Sequence, residues 1–143
     1  MERYAQRIIQ ILEKNNIPGI YNKEDRLIYA VYENGYGEIY FIYEYENATI
    51  TNCAIYSCPI PDSKKDLVLK YLCSVNKVKN QGDFFFDRTT DCVAYNICYC
   101  VGNRNVDEDI VRFEEFCLKA YQMFSRHQQP LYKIINHKRI LGN

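Results

Sequence analysis

The chain has 143 residues, 48% of them hydrophobic, and its eighteen basic and eighteen acidic residues cancel. This length fits one domain spanning residues 1–143, and the neutral balance gives no electrostatic reason to expect nucleic acid or an anionic membrane as a partner. No stretch approaches eighteen consecutive apolar residues, and the N-terminus enters an amphipathic pattern directly rather than through a signal peptide. We therefore expect a cytoplasmic protein.

The first half of the chain predicts one helix and three strands. Apolar residues at helical spacing predict a helix over Glu2–Asn15, which Pro18-Gly19 ends. Aromatic and β-branched residues then predict strands over Leu27–Glu33, Glu38–Tyr45 and Thr49–Ser57. Because successive side chains of a strand alternate, the second strand places one set inward, namely Ile39, Phe41, Tyr43 and Tyr45. The same alternation places the other set outward, namely Glu38, Tyr40, Ile42 and Glu44.

The second half predicts a helix, two strands and a long last helix. Ser63 with Asp66 indicates the start of the second helix, whose apolar face runs on to Val78. Strands over Gly82–Asp87 and Cys92–Val101 follow, then a helix that ends near His127, with Pro130 beginning a short, separate helical segment. The order α-β-β-β-α-β-β-α predicts an α+β fold, with a five-stranded antiparallel sheet packed with helices.

Four local patterns stand between Tyr71 and Pro130. They are Leu-x-x-x-Asn at 72–76, Gly-x-Phe-x-Phe-Asp at 82–87, Val-x-Tyr at 93–95, and the proline itself near the end of the last helix. Together they resemble the bacterial YbjN family, also called the sensory-transduction-regulator family, which shares the fold of type III secretion chaperones. The chain departs from the family pattern at Thr90-Asp91, where glycine is usual, and at Asn96, where an arginine is common.

The resemblance implies a non-enzymatic, chaperone-like or regulatory domain that binds protein. It transfers no catalytic residue and implies no cofactor. We expect either a protein partner or self-association as a homodimer.

The candidate partner-binding surface is the outward face of the sheet. Tyr40 and Ile42 are apolar at positions where the strand pattern predicts solvent, and contiguous exposed apolar residues can mark a partner site. Tyr95 and Tyr99 join them if the bulky face of the last strand points outward. The alternative is that a tyrosine-rich sheet face is simply exposed to water.

Two other functions are weaker alternatives. Cys92, Cys98 and Cys100 share one strand face that Cys53 could approach, so four thiolates could bind zinc, although small residues beneath a helix explain them equally well. An enzyme would need a base beside a nucleophile, and the two histidines, His127 and His137, both lie on charged stretches near the C-terminus. The acidic residues around the first hairpin are typical of a solvated strand face.

Overall fold

A computed structural model describes residues 2–77, 82–102 and 106–136 of the chain. Three helices and six strands lie within these ranges. In chain order they are α1 (Glu2–Lys14), β1 (Gly19–Asn22), β2 (Leu27–Asn34), β3 (Gly37–Glu46), β4 (Thr49–Tyr56), a 3-10 turn (Asp62–Lys64), α2 (Lys65–Asn76), β5 (Asp83–Asp87), β6 (Cys92–Cys100) and α3 (Ile110–Asn136). None of the helices in the described ranges is both long and apolar enough to cross a membrane.

The six strands form one antiparallel sheet in the order β1-β2-β3-β4-β6-β5. The helices cover one of its faces. The longest helix, α3, lies over β4 and β6, while α1 packs beside it near β1, and α2 packs against β5. This arrangement confirms the α+β class, and none of the three described helices lies on the opposite face of the sheet.

The core fills the space between the sheet and the helices with aromatic rings. Ile39, Phe41 and Tyr43 of β3 are buried on the helix side as predicted, and Tyr45 is half-buried there. The Tyr43 hydroxyl donates a 2.6 Å hydrogen bond to the carbonyl oxygen of Cys117 in α3. Alternation of side chains along β3 therefore decides which face of the sheet becomes the core.

The prediction of five strands missed β1. This strand has only four residues, directly after a proline, and its sequence Gly-Ile-Tyr-Asn carries too little strand pattern to be recognised alone. It forms because β2 offers a partner edge, with Gly19 paired to Ala30 and Asn22 paired to Leu27. Tertiary pairing rather than local propensity thus creates the sixth strand.

The prediction that Pro130 begins a separate last segment is wrong, because α3 continues through it to Asn136. A proline inside a helix costs about 3 kcal/mol through its missing N–H and its steric clash. Leu131 and Ile135 follow it on the buried face of the helix, at 0% and 6% exposure. Burying two such side chains contributes about 1.5–3 kcal/mol each, which offsets the penalty and keeps the segment helical.

The residues of the Leu-x-x-x-Asn and Gly-x-Phe-x-Phe-Asp patterns fix the edge strand β5. The Asn76 side chain accepts a 3.0 Å hydrogen bond from the Phe84 N–H and donates a 2.8 Å bond to the Phe84 carbonyl. Gly82 lies so close to β6 that a Cβ there would clash with the carbonyl oxygen of Asn96 and sit 2.9 Å from the Tyr95 ring. The Asp87 carboxylate accepts bonds from the turn that follows. These residues serve the architecture.

Candidate functional site: the open face of the sheet

The side of the sheet opposite the helices, here called the open face, has an apolar centre. Antiparallel pairing aligns its residues in rows, with Tyr29 opposite Ile42 and Tyr40 opposite both Val31 and Ile55. On the five neighbouring strands from β2 to β5 the outward apolar residues are Leu27, Tyr29, Val31, Tyr40, Ile42, Ile55, Phe85 and Ala94. Ile20 of the edge strand β1, opposite Tyr29, extends one of these rows. Tyr29 and Tyr40 are each 40% exposed, and Phe85 is 39% exposed.

A shallow hollow of about 410 Å³ lies in this centre. The residues that line it include Tyr29, Tyr40, Ile42, Ile55 and Cys92. Ligand sites for small molecules combine apolar walls with a few polar groups that converge on one point. None of the residues that line the hollow is charged, and those with a side-chain hydroxyl are Tyr29, Tyr40, Ser57 and Thr90, so the hollow suits apolar side chains better than a charged or highly polar molecule.

The Tyr40 ring is anchored beside the hollow by its own strand. Its hydroxyl donates a hydrogen bond to the Glu38 carboxylate two residues earlier on the same face. That hydrogen bond, together with the negative charges of Glu38 and Glu33, raises the pKa of Tyr40. The phenol therefore stays neutral at physiological pH and presents its ring, rather than a charge, toward an incoming group.

Carboxylates surround the apolar centre. Glu33 and Glu38 lie directly opposite one another at the end of the β2–β3 hairpin, and Glu44 lies opposite Leu27 toward the other end. Including the outer positions of β3 and β5, the strands place six acidic side chains on the open face, namely Glu33, Glu38, Glu44, Glu46, Asp83 and Asp87. Over the same strands, the described residues of this face include no lysine or arginine.

The structure places Tyr40 and Ile42 side by side on the open face, as the strand pattern of β3 predicts. Tyr95 and Tyr99, in contrast, lie on the helix side, at 0% and 6% exposure, so their assignment to an outward surface is wrong. Tyr95 packs edge-on against Phe84, and the Tyr99 hydroxyl donates a 2.7 Å bond to Asp109. A central strand must turn its bulky face to the core, because the small face leaves that volume unfilled.

The small face of β6 consequently points away from the helices, which corrects the expectation that its cysteines pack beneath one. Cys98 and Cys100 are exposed, while Cys53 on β4 is half-buried and lies opposite Asn96. Burial raises the pKa of the Cys53 and Cys92 thiols, which keeps them protonated. Across residues 2–77, 82–102 and 106–136, no three His, Cys, Asp or Glu side chains are grouped so that they could hold a metal ion.

His127 is part of the packing between α2 and α3. Its Nδ1 is 2.6 Å from the Tyr71 hydroxyl, and its ring packs edge-on against Phe84. Burial, followed by the charge of Arg126, lowers the pKa of His127, which keeps the ring neutral. The other histidine, His137, lies outside the described residues. His127 therefore has the partners of a structural histidine, and the thiol of Cys117, raised in pKa by burial in the core, is a poor nucleophile.

Solved structures with the same fold include a chain of the crystal structure of the ExsC–ExsE complex. It is 12% identical to this chain, with a TM-score of 0.57, and the match covers 90% of this chain and 92% of that one. Another is YbjN from E. coli, a candidate transcription regulator, at 14% identity and a TM-score of 0.55 over 83% of this chain and 89% of that one. No protein-family model matches the sequence, and no curated protein matches it.

At these identities the likeness establishes the fold. The chain has the YbjN-like, type III secretion chaperone-like fold that its sequence patterns indicate. The sixth strand, β1, is the difference from the predicted order.

Proposed function

We propose that this chain is a non-enzymatic, chaperone-like module that binds a protein partner on the open face, around Tyr40 and Ile42. The observation that carries the proposal is the continuous apolar centre of that face, with three aromatic rings each about two-fifths exposed. Apolar surface that is contiguous, exposed and ringed by polar groups is the usual mark of a protein-binding site. One of the chains with the same fold comes from a protein–protein complex, which supports the same kind of function.

The size of the apolar centre limits how tightly it can bind by itself. Five strands about 4.8 Å apart and two rows of outward residues about 6.6 Å apart give a patch on the order of 300 Å². Covering that area contributes roughly 7 kcal/mol at 25 cal/mol per Å². Association costs an estimated 4–15 kcal/mol or more in lost freedom of motion, so the surrounding residues must add to the affinity.

All seven cysteines of the chain are free thiols in the structure. Two of them, Cys98 and Cys100, are exposed on the open face, where an oxidising environment would modify them. A reducing compartment such as the cytoplasm therefore suits the proposed function.

The test uses the purified chain and matched variants of it to capture binding proteins, and compares which proteins each variant retains. The double variant Tyr40→Thr/Ile42→Thr removes the two β3 side chains of the apolar centre without adding charge and keeps strand propensity, because threonine is β-branched. Val111→Thr is the control, since Val111 is 67% exposed on α3, on the other side of the sheet.

We expect a protein that wild type and Val111→Thr both retain and that the double variant loses. That protein, once purified, should bind wild type with a defined stoichiometry in isothermal titration calorimetry. Far-UV circular dichroism verifies that each variant is folded. Equal binding by the folded double variant would refute the use of the open face.

A further inference from the structure

The charges of this chain are balanced in number, but over the described ranges they are unevenly distributed in space. Of the eighteen acidic residues that the structure describes, six lie on the strands of the open face, and the other twelve lie outside it together with all fourteen described lysine and arginine residues. The three helices are net basic, with nine lysine and arginine residues against five acidic residues, including Lys70 on α2 and Arg126 and Lys133 on α3. The neutral total therefore conceals an acidic surface around the apolar centre.

We infer that the partner of the open face is a polypeptide segment with apolar side chains in its middle and lysine or arginine on both sides. This inference rests on the proposed function and specifies its partner. The apolar side chains would fill the hollow beside Tyr40 and Ile42. The flanking cations would meet Glu33 and Glu38 at one end and Glu44 at the other.

The geometry of the carboxylates gives both ends of the segment a partner. Glu33 and Glu38 are cross-strand neighbours, so each raises the negative potential at the other. Glu44 is six residues further along β3 than Glu38, which corresponds to roughly 20 Å of extended strand. A segment of about six extended residues spans that distance, so cations at its two ends can reach both groups at once.

A second copy of this chain fits the face less well. Two-fold symmetry places the same patch on both copies, so an isologous contact centred on the open face would bring acidic rims together. The apolar patch, on the order of 300 Å², is also smaller than the roughly 800 Å² that each partner contributes to a standard interface. The charge and the area both favour a basic partner over self-association through this face.

The experiment uses a displayed library of random 16-residue peptides as the probe, selected against the full purified chain. Three variants are selected in parallel. They are Tyr40→Thr/Ile42→Thr, the rim variant Glu33→Gln/Glu38→Gln/Glu44→Gln, and the control Glu108→Gln/Glu114→Gln/Glu115→Gln, whose three carboxylates are exposed on or just before α3.

We expect peptides with an aliphatic or aromatic middle and an excess of lysine and arginine on both flanks. The rim variant should bind a selected peptide about eightfold more weakly than wild type, if each of three exposed ion pairs contributes a factor of about two. Raising the salt concentration to 0.5 M should weaken wild-type binding in the same direction, because screening shortens the reach of surface charges. The control variant should bind as wild type does.

The outcomes separate this inference from the proposed function. If no selected peptide requires Tyr40 and Ile42, the proposed function fails and the inference fails with it. If the peptides require Tyr40 and Ile42 but carry no basic excess, or bind the rim variant equally well, the inference is overturned while the proposed function stands. Sedimentation of the chain alone adds one more outcome: a dimer that Tyr40→Thr/Ile42→Thr abolishes would assign the face to a second copy and overturn the inference.

Discussion

Replacing Asn76 with alanine removes both hydrogen bonds that hold the backbone of the edge strand β5 to α2. The Asn76 amide bonds the N–H and the carbonyl of Phe84 at 3.0 and 2.8 Å, and so occupies the place that another strand would take. A hydrogen bond of this type contributes about 1 kcal/mol net, so Asn76→Ala should lose about 2 kcal/mol of unfolding free energy. Alanine has a higher helix propensity than asparagine, which reduces this loss by a few tenths of a kcal/mol near the end of α2.

The expected net loss is therefore about 1.5 kcal/mol, which corresponds to a fall of about 5 °C in melting temperature for a domain of this size. Urea unfolding followed by far-UV circular dichroism measures it, with tyrosine fluorescence as a second probe because the chain has fourteen tyrosines and no tryptophan. Ser74→Ala, at an exposed position of the same helix, is the matched control for helix propensity. If Asn76→Ala unfolds at the same urea concentration as Ser74→Ala, the two bonds to Phe84 do not hold β5.

The pH dependence of a second variant, Asn76→Asp, tests the same contacts between the residue 76 side chain and the Phe84 backbone. Asn76→Asp keeps an acceptor for the Phe84 N–H but turns a carboxylate oxygen toward the Phe84 carbonyl. That contact raises the pKa of the introduced carboxyl above its unfolded value, so its destabilisation is greatest at neutral pH and shrinks as the pH falls through the folded pKa. A loss of stability that is independent of pH between 3 and 7 would show that the carboxyl does not face the carbonyl.

Three further predictions concern the core and the thiols. Tyr43→Phe removes the buried hydroxyl that donates a hydrogen bond to the Cys117 carbonyl. Urea unfolding should show a free energy of unfolding about 1–2 kcal/mol lower than that of wild type, and an unchanged value would contradict the hydrogen bond. Gly82→Ala places a Cβ against the backbone of β6, which costs about 1–3 kcal/mol of strain. The melting temperature should therefore fall by several degrees, and an unchanged melting temperature would contradict the close approach of Gly82 to β6. Iodoacetamide should label the exposed Cys98 in the native protein at neutral pH and leave the buried Cys117 unlabelled until urea is added. The reason is that burial raises the pKa of the Cys117 thiol. Peptide mass spectrometry identifies which cysteine is labelled before and after urea is added.

The sequence was sufficient for most of the fold because its patterns are strong where the elements are long. The ten residues of β3 alternate clearly, and this alternation decides both the buried face with Phe41 and the outward face with Tyr40. The long apolar stripe of α3 likewise predicts a helix on the sheet. Elements that depend on distant partners were harder to predict. The short strand β1 needs the edge of β2, and the passage of α3 through Pro130 needs the burial of residues beyond it.

The outward surface was only half predictable for a related reason. Both faces of β6 are apolar, so alternation divides its residues into two sets without saying which set is inside. The register with β4 decides it, since Tyr95 pairs with Ala54 and Tyr99 with Ile50, both on the helix side. The acidic rim was visible as glutamates around the first hairpin, but Asp83 and Asp87 join it only once β5 is placed beside β6.

The YbjN-like sequence patterns lie in a different part of the molecule from the residues proposed to bind a partner. Asn76, Gly82 and Asp87 hold β5 and its turn, so their contacts in this chain serve the architecture of that edge. The open face has no such constraint, because Tyr40 and Ile42 satisfy the strand pattern with many possible replacements. A shared fold at 12–14% identity is therefore compatible with different partners, and under the proposed function it is the charge and shape of the open face that select the partner.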